Sequence, residues 1–132
     1  MKASSGRRYY IDDEVKAGQV YYYTVKAYAP GNHWSSYHKT GVKLEHLKAP
    51  KKLVLSNKKA GIYVDWDKST GASKYIVYRK KEGGNYIEIA ATKNTSYYDK
   101  SATKKGKKYS YKVLAYSNGG KSVASVTKTI YR

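Results

Sequence analysis

Gly106-Lys107-Lys108-Tyr109-Ser110-Tyr111-Lys112-Val113-Leu114-Ala115-Tyr116 alternates without a break from Tyr109 onward. Tyr109, Tyr111, Val113 and Ala115 share one face, and Ser110, Lys112 and Leu114 the other. A period of two is that of a strand half-buried in a sheet, because successive side chains leave opposite faces. Tyr97-Tyr98-Asp99 precedes the stretch, and Asn118-Gly119-Gly120 follows it as the clearest hairpin signal in the chain. The same series occurs earlier as Tyr10-Ile11-Asp12, then Gly18, Tyr21, Tyr23, Val25, Ala27 and Tyr28. From Gly18 to Tyr28 each of these residues stands 88 positions before its counterpart between Gly106 and Tyr116. The loop ahead of the glycine is one residue shorter in the first copy. A repeat spaced by about one small sandwich domain points to tandem units.

Outward from this strand, the second half of the chain is a run of short strands between turn signals, the spacing of an all-β sandwich. Leu53 and Leu55 share a face in Lys52–Ser56. Ile62, Val64 and Trp66 alternate with Tyr63 and Asp65, and Lys68-Ser69-Thr70-Gly71 turns the chain. Tyr75 and Val77 alternate with Ile76 and Tyr78, and Gly83-Gly84 supplies a hairpin turn. Tyr86–Ala91, Thr95–Asp99, Tyr109–Tyr116 and Ser122–Tyr131 complete seven expected strands between Lys48 and Arg132. No segment has a convincing helical period, and Asp12–Gly18 reads as a loop.

The pattern Gly-x-x-Tyr-x-Tyr-x-Val-x-Ala resembles the E–F corner and F strand of fibronectin type III domains. The resemblance implies a seven-stranded, immunoglobulin-like β-sandwich. It puts Tyr109, and Tyr21 in the first copy, at the tyrosine corner, where the hydroxyl bonds back to main chain and the ring fills the end of the core. It puts Trp66 at the core position of strand B, Tyr75 and Val77 on the inward face of strand C, and Ala49-Pro50 ahead of strand A. Val77-Tyr78-Arg79-Lys80 before a Gly-Gly turn, with Tyr98-Asp99 before strand F, is similar to repeats of large secreted or surface proteins of Gram-positive bacteria. The resemblance covers 48–132 as a complete domain and 1–47 as a partial one with strands E, F and G only. Half a sandwich would expose Tyr21, Tyr23, Val25 and Ala27 and leave strand edges unpaired. The expectation is the C-terminal end of a longer array, or a half completed by another chain, self-association through 1–47 included.

The chain has 132 residues, with 17 Tyr, 2 Trp and no Phe. Tyrosine covers a pleated surface and tolerates water at its hydroxyl, so most of these are expected as strand-face and core residues. There is no cysteine, which excludes disulfides, thiolate metal sites and thiol catalysis. The formal charge is +18, carried mostly by lysine, since Arg7, Arg8, Arg79 and Arg132 are the four arginines. Lysine is a hydrated point charge suited to loose attraction to polyanions, less to bidentate reading of bases. The lysine pairs are scattered through turns and strand ends, which argues against one focused nucleic-acid groove. No apolar run is long enough to span a membrane, and the residues from Met1 to Arg8 carry no signal-peptide pattern.

Catalytic, cofactor and metal sites are not expected. Asp65 and Asp67 flank Trp66, and Asp12-Asp13-Glu14 reads as turn and cap chemistry rather than a calcium loop. His33, His38 and His46 have no zinc-ligand spacing, and no nucleophile elbow is present. The candidates for ligand contact are His33, Trp34 and Tyr37 in the F–G loop of the first copy, with Tyr63, Tyr78 and Tyr116 as outward strand residues. The structural core is expected around Trp66, Tyr75, Tyr109 and Tyr21. The leading expectation is a non-catalytic spacer or adhesion module of a bacterial extracellular or wall-associated protein, in contact with neighbouring domains, wall polymer, glycan or a surface protein. The alternatives are a carbohydrate-binding accessory module of a secreted hydrolase and a lysine-rich polyanion binder.

Overall fold

The computed structural model describes residues 9–122 and 124–132. The elements are β1 (Val20–Tyr23), β2 (Tyr28–Ala29), β3 (His33–Trp34), β4 (Val42–Glu45), β5 (Val54–Lys58), β6 (Gly61–Asp65), β7 (Lys74–Lys81), β8 (Tyr86–Thr92), β9 (Ser96–Asp99), β10 (Lys108–Ser117), β11 (Gly120–Lys121) and β12 (Lys128–Tyr131). From β5 onward they make a sandwich. One sheet has the order β5-β6-β9, and the other runs β8-β7-β10 with β11 and β12 both on the free side of β10. With β11 and β12 taken as one interrupted last strand, this is the seven-stranded β-sandwich that the strand spacing predicts.

The final strand departs from the expected continuous Ser122–Tyr131, and Val123 within it lies outside the described residues. Among the described residues, regular pairing is found in β12 at its far end and in β11, just ahead of Ser122. Between them the Ser122 Oγ accepts the Ala115 N–H at 2.9 Å and the Ser125 Oγ accepts the Val113 N–H at 2.9 Å. The Ser122 and Ser125 N–H groups donate to the carbonyls of Ala115 and Val113 at 2.9 and 2.8 Å. Hydroxyls stand in for carbonyl acceptors, so β10 stays satisfied without a regular ladder.

The alternation read in the sequence sets the core. Ile62, Val64, Val77, Tyr111, Val113 and Ala115 are fully buried between the sheets. Trp66 meets Tyr75 edge-on, with ring centroids 5.5 Å apart at 64°. Leu47, from the segment ahead of the sandwich, closes one end of this core.

Residues 9–47 hold a hairpin that copies the one at the end of the chain. In β1–β4 Tyr21 faces Leu44 and Tyr23 faces Val42; in β10–β12 Tyr109 faces Ile130 and Tyr111 faces Lys128. Tyr28 faces Trp34 across β2–β3 as Tyr116 faces Lys121 across β10–β11. Two expectations for this part need correction. Residues 9–12 form no strand, because β9, their counterpart, is held by β6, and the described residues ahead of β1 include no strand of that kind. Tyr21, expected in a core, is only half-buried. Val25 is 83% exposed where its counterpart Val113 is 0% exposed.

The hairpin sits on the end of the sandwich through main chain. The Glu45 N–H donates to the Gly119 carbonyl at 2.9 Å, while the Gly18 N–H, donating to the His46 carbonyl at 2.8 Å, closes the hairpin on itself. A Cβ on Gly71 would lie 2.8 Å from the Gly18 Cα, and one on Gly120 would lie 2.8 Å from the Glu45 carbonyl oxygen. Neither neighbour is a flexible side chain, so an added methyl must push the two parts apart. Gly120→Ala is expected to speed amide exchange at Glu45 by ~10-fold or more, by the usual 1–3 kcal/mol of overpacking. Exchange of Val77 and Val113 in the sandwich should stay unchanged; an unaltered Glu45 amide would refute the tight seat.

Candidate functional site

The ionisable side chains that the fold gathers most tightly lie at the end of β9. Asp99 is 1% exposed. Its Oδ2 accepts the Tyr111 hydroxyl at 2.7 Å and the Arg79 Nη1 at 2.9 Å. Its Oδ1 accepts the Ser101 N–H at 3.0 Å and the Ser101 hydroxyl at 2.7 Å. Arg79 comes from β7 and Tyr111 from β10, so the cluster ties one sheet to the other. Burial alone would raise the Asp99 pKa, but bonds from Ser101, Tyr111 and Arg79 outweigh it and hold the carboxyl below its usual range. Burial, then the Asp99 carboxylate, push the Tyr111 phenol far above its ordinary value. One group is fixed ionised and the other fixed protonated, with the carboxylate's lone pairs taken up by protein donors. Such a cluster fastens sheets together and is unsuited to proton transfer.

The first copy carries the same chemistry in part. The Tyr23 hydroxyl donates to the Asp12 Oδ2 at 2.9 Å and the Glu14 N–H to the Asp12 Oδ1 at 3.2 Å. The Tyr23 phenol is raised, by desolvation first and then by Asp12. At the corner ahead of each strand, the Lys16 N–H donates to the Tyr21 hydroxyl at 2.8 Å and the Lys104 N–H to the Tyr109 hydroxyl at 3.4 Å. Sequence reading alone does not pair Asp99 with Arg79. The signal was there: an Asp precedes each repeat glycine, and Arg79 is one of four arginines in a lysine-rich chain.

The six candidate contact residues fall on three separate surfaces. Tyr63 stands between Ser56 and Tyr98 on the β5-β6-β9 sheet. Tyr78 and Tyr116 lie on the other sheet, where burial and then Tyr116 raise the Tyr78 phenol. Lysines occupy ring faces there: Lys112 Nζ is 4.3 Å from the Tyr86 centroid and 5.7 Å from that of Tyr78, and Lys74 Nζ is 5.8 Å from that of Tyr116. His33, Trp34 and Tyr37 belong to the hairpin tip, all exposed. Trp34 is 53% exposed and leans on Tyr28, with centroids 4.7 Å apart at 49°. Lys26 Nζ lies 4.2 Å from the Tyr37 centroid. Among the described residues no three His, Asp or Glu side chains are grouped to hold a metal, and no helix is long and apolar enough to cross a membrane.

A family model described as GH85 endohexosaminidases, C-terminal domain, matches residues 44–129. The chain belongs to this family. The GH85 C-terminal-domain match starts within β4 and ends within β12, so it takes in the sandwich and leaves β1, β2 and β3 outside. Among solved structures, an Fn3-like protein from Clostridium thermocellum is 33% identical, with a TM-score of 0.54 over 61% of this chain and 86% of that one. The FN3 domain of human collagen XX is 21% identical, with a TM-score of 0.52 over 64% of this chain and 91% of that one. The structure titled FN3tt mut is 22% identical, with a TM-score of 0.57 over 64% and 94%. The latter two speak for the fold alone. No curated protein matches the chain.

Proposed function

We propose that the chain is a non-catalytic accessory module of a secreted, endohexosaminidase-type hydrolase, and that it holds glycan at the tip of the β2–β3 hairpin. The reading places the protein outside the cell or at its wall, next to further domains of a longer polypeptide. The hydrolase family of the sandwich favours this over a free-standing adhesin. The observation that carries the glycan contact is Trp34, half-exposed and propped at a fixed tilt by Tyr28. A sugar ring offers an apolar C–H face to an aromatic plane and hydroxyls to its rim, and an aromatic with one wet side suits both. Asn32, at the hairpin turn, accepts the Tyr28 hydroxyl at 3.4 Å through its Oδ1. The outer faces of Tyr78, Tyr86 and Tyr116 are less suited, because lysine ammonium groups already cover them.

The test is a glycan array that includes hexosamine-containing oligosaccharides, probed with the full chain and with Trp34→Ala. Binding is expected in the parent and a fall of ~10-fold or more in the variant, the loss of one stacking ring worth ~1–2 kcal/mol. An array with no signal would leave a spacer role and defeat the glycan contact. Binding that collapses between low and moderate salt, with Trp34→Ala unaffected, would instead mark the lysine-rich surface as a polyanion binder.

A further inference from the structure

The hairpin β1–β4 repeats β10–β12 down to single hydrogen bonds, yet its inward face is bare. Tyr109, Tyr111, Val113 and Ala115 are sealed in the sandwich core, whereas Val25 and Ala27 are exposed and Tyr21 and Tyr23 half-buried. In the complete copy that face is packed by Ile62, Val64 and Trp66 from β6 and its vicinity, and by Tyr75 and Val77 from β7. The polar end is incomplete in the same sense. Asp12 receives the Tyr23 hydroxyl and the amide two residues on, as Asp99 receives Tyr111 and Ser101. Asp99 additionally receives the Arg79 guanidinium from β7, at 2.9 Å.

We propose that this hairpin is the F–G half of a second sandwich, and that its bare face is filled by a strand pair of the β6–β7 kind from polypeptide outside residues 9–132. That pair brings alternating apolar residues onto Tyr21, Tyr23 and Val25, and an arginine, at the place of Arg79, onto the Asp12 carboxylate. The charge argues for this occupant, since the Asp12–Tyr23 pair reproduces the acceptor half of an ion-pair cluster whose cation comes from β7. A second copy of this chain is a poor source. Its own β6 and β7 carry Ile62, Val64 and Val77 fully buried, and lending them would open its sandwich.

The test is a chain in which residues 48–95 replace residues 1–8, so that strands like β5 to β8 lead directly into Tyr9. Asp12 matches Asp99, so Tyr9 then takes the place of Ser96. Amides of Tyr21, Tyr23 and Val25 are expected to exchange at least ~100-fold more slowly than in the unextended chain, as expected for residues moved from an uncovered hairpin face into a cooperative core. Arg79→Met made in the added segment alone, or Asp12→Asn, should return ~10-fold or more of that protection while leaving the 48–132 amides unchanged. The unextended chain is expected to sediment as a monomer with these three amides fast. The proposal falls if the extended chain folds its 48–132 sandwich and gains no protection at 21–25. It also falls if the unextended chain is already protected there, either as a monomer or as a dimer in which a second copy covers the face. This last measurement needs no engineered chain, so a fusion that misfolds does not shield the proposal.

Discussion

Asp99→Ala is expected to lower the stability of the sandwich by about 3–5 kcal/mol, the usual cost of removing one partner from a buried ion pair. The size follows from what is left behind. Arg79 keeps its charge in a site where its side chain is 16% exposed, and the Tyr111 hydroxyl, fully buried, loses its acceptor. Ser101 loses the acceptor of both its N–H and its hydroxyl at the turn after β9. Domains of this size have about 5–15 kcal/mol in total, so the variant should sit near its unfolding threshold, with the melting temperature down by some ~15–30 °C. Urea unfolding followed by tryptophan fluorescence measures it directly. The double change Asp99→Leu with Arg79→Met should cost less than Asp99→Ala, because no charge remains stranded. If the double variant were the worse of the two, the pair would be a net source of stability rather than a lock.

The same carboxylate gives the sandwich a pH dependence of definite sign. Asp99 is held below its ordinary value in the folded chain, so the unfolded chain takes up its proton first. Its contribution is complete above about pH 5 and is lost as pH falls below the ordinary Asp value of about 3.9 toward the lower folded value. Asp99→Asn should flatten the acid limb of a stability–pH curve. An acid limb of unchanged slope would show that some other carboxylate sets it.

Trp66→Ala carries the second large effect, about 3–5 kcal/mol, from the cavity left where the indole meets Tyr75. The chemistry of the site predicts an asymmetry. The Trp66 Nε1 and the Ser69 Oγ are buried without a protein hydrogen-bond partner. An indole N–H that is desolvated and unpaired works against folding, so Trp66→Phe gives up volume but also removes that penalty. It is expected to cost less than half of the alanine change in a urea titration followed by far-UV circular dichroism, because Trp66 is itself the fluorescent reporter of the sandwich and Trp34 lies in the hairpin. Equal losses for Phe and Ala would mean that the N–H contributes a bond of its own.

Much of the fold is legible because the core strands alternate strictly. Tyr109 to Ala115 can bury only one face, and the repeat at Tyr21 to Ala27 announces a second hairpin of the same register. What alternation cannot give is which sheet a strand joins. Tyr63 and Tyr78 both point outward in the sequence, and only strand order puts them on opposite sides of the sandwich. The Asp99 cluster is invisible for a related reason. Arg79, Asp99 and Tyr111 come from three strands, and local reading assigns each a duty in its own turn or face. The first hairpin differs from its expected strand at Thr24–Ala27, where β1 ends. The sequence there still alternates, but no neighbouring sheet lies against it, and ladder geometry follows packing as much as propensity.

The glycine seat between hairpin and sandwich has a mechanical meaning. Gly71 and Gly120 meet the main chain of Gly18 and Glu45 at contact distance, and the Glu45, Leu47 and Thr70 side chains close in beside them, so the joint has little room to slacken. It behaves as a splined coupling rather than a ball joint. A torque applied to the hairpin reaches the sandwich until the Glu45–Gly119 hydrogen bond shears. Whatever rides on the hairpin is therefore aimed by the sandwich, at a fixed azimuth, instead of swinging on a tether.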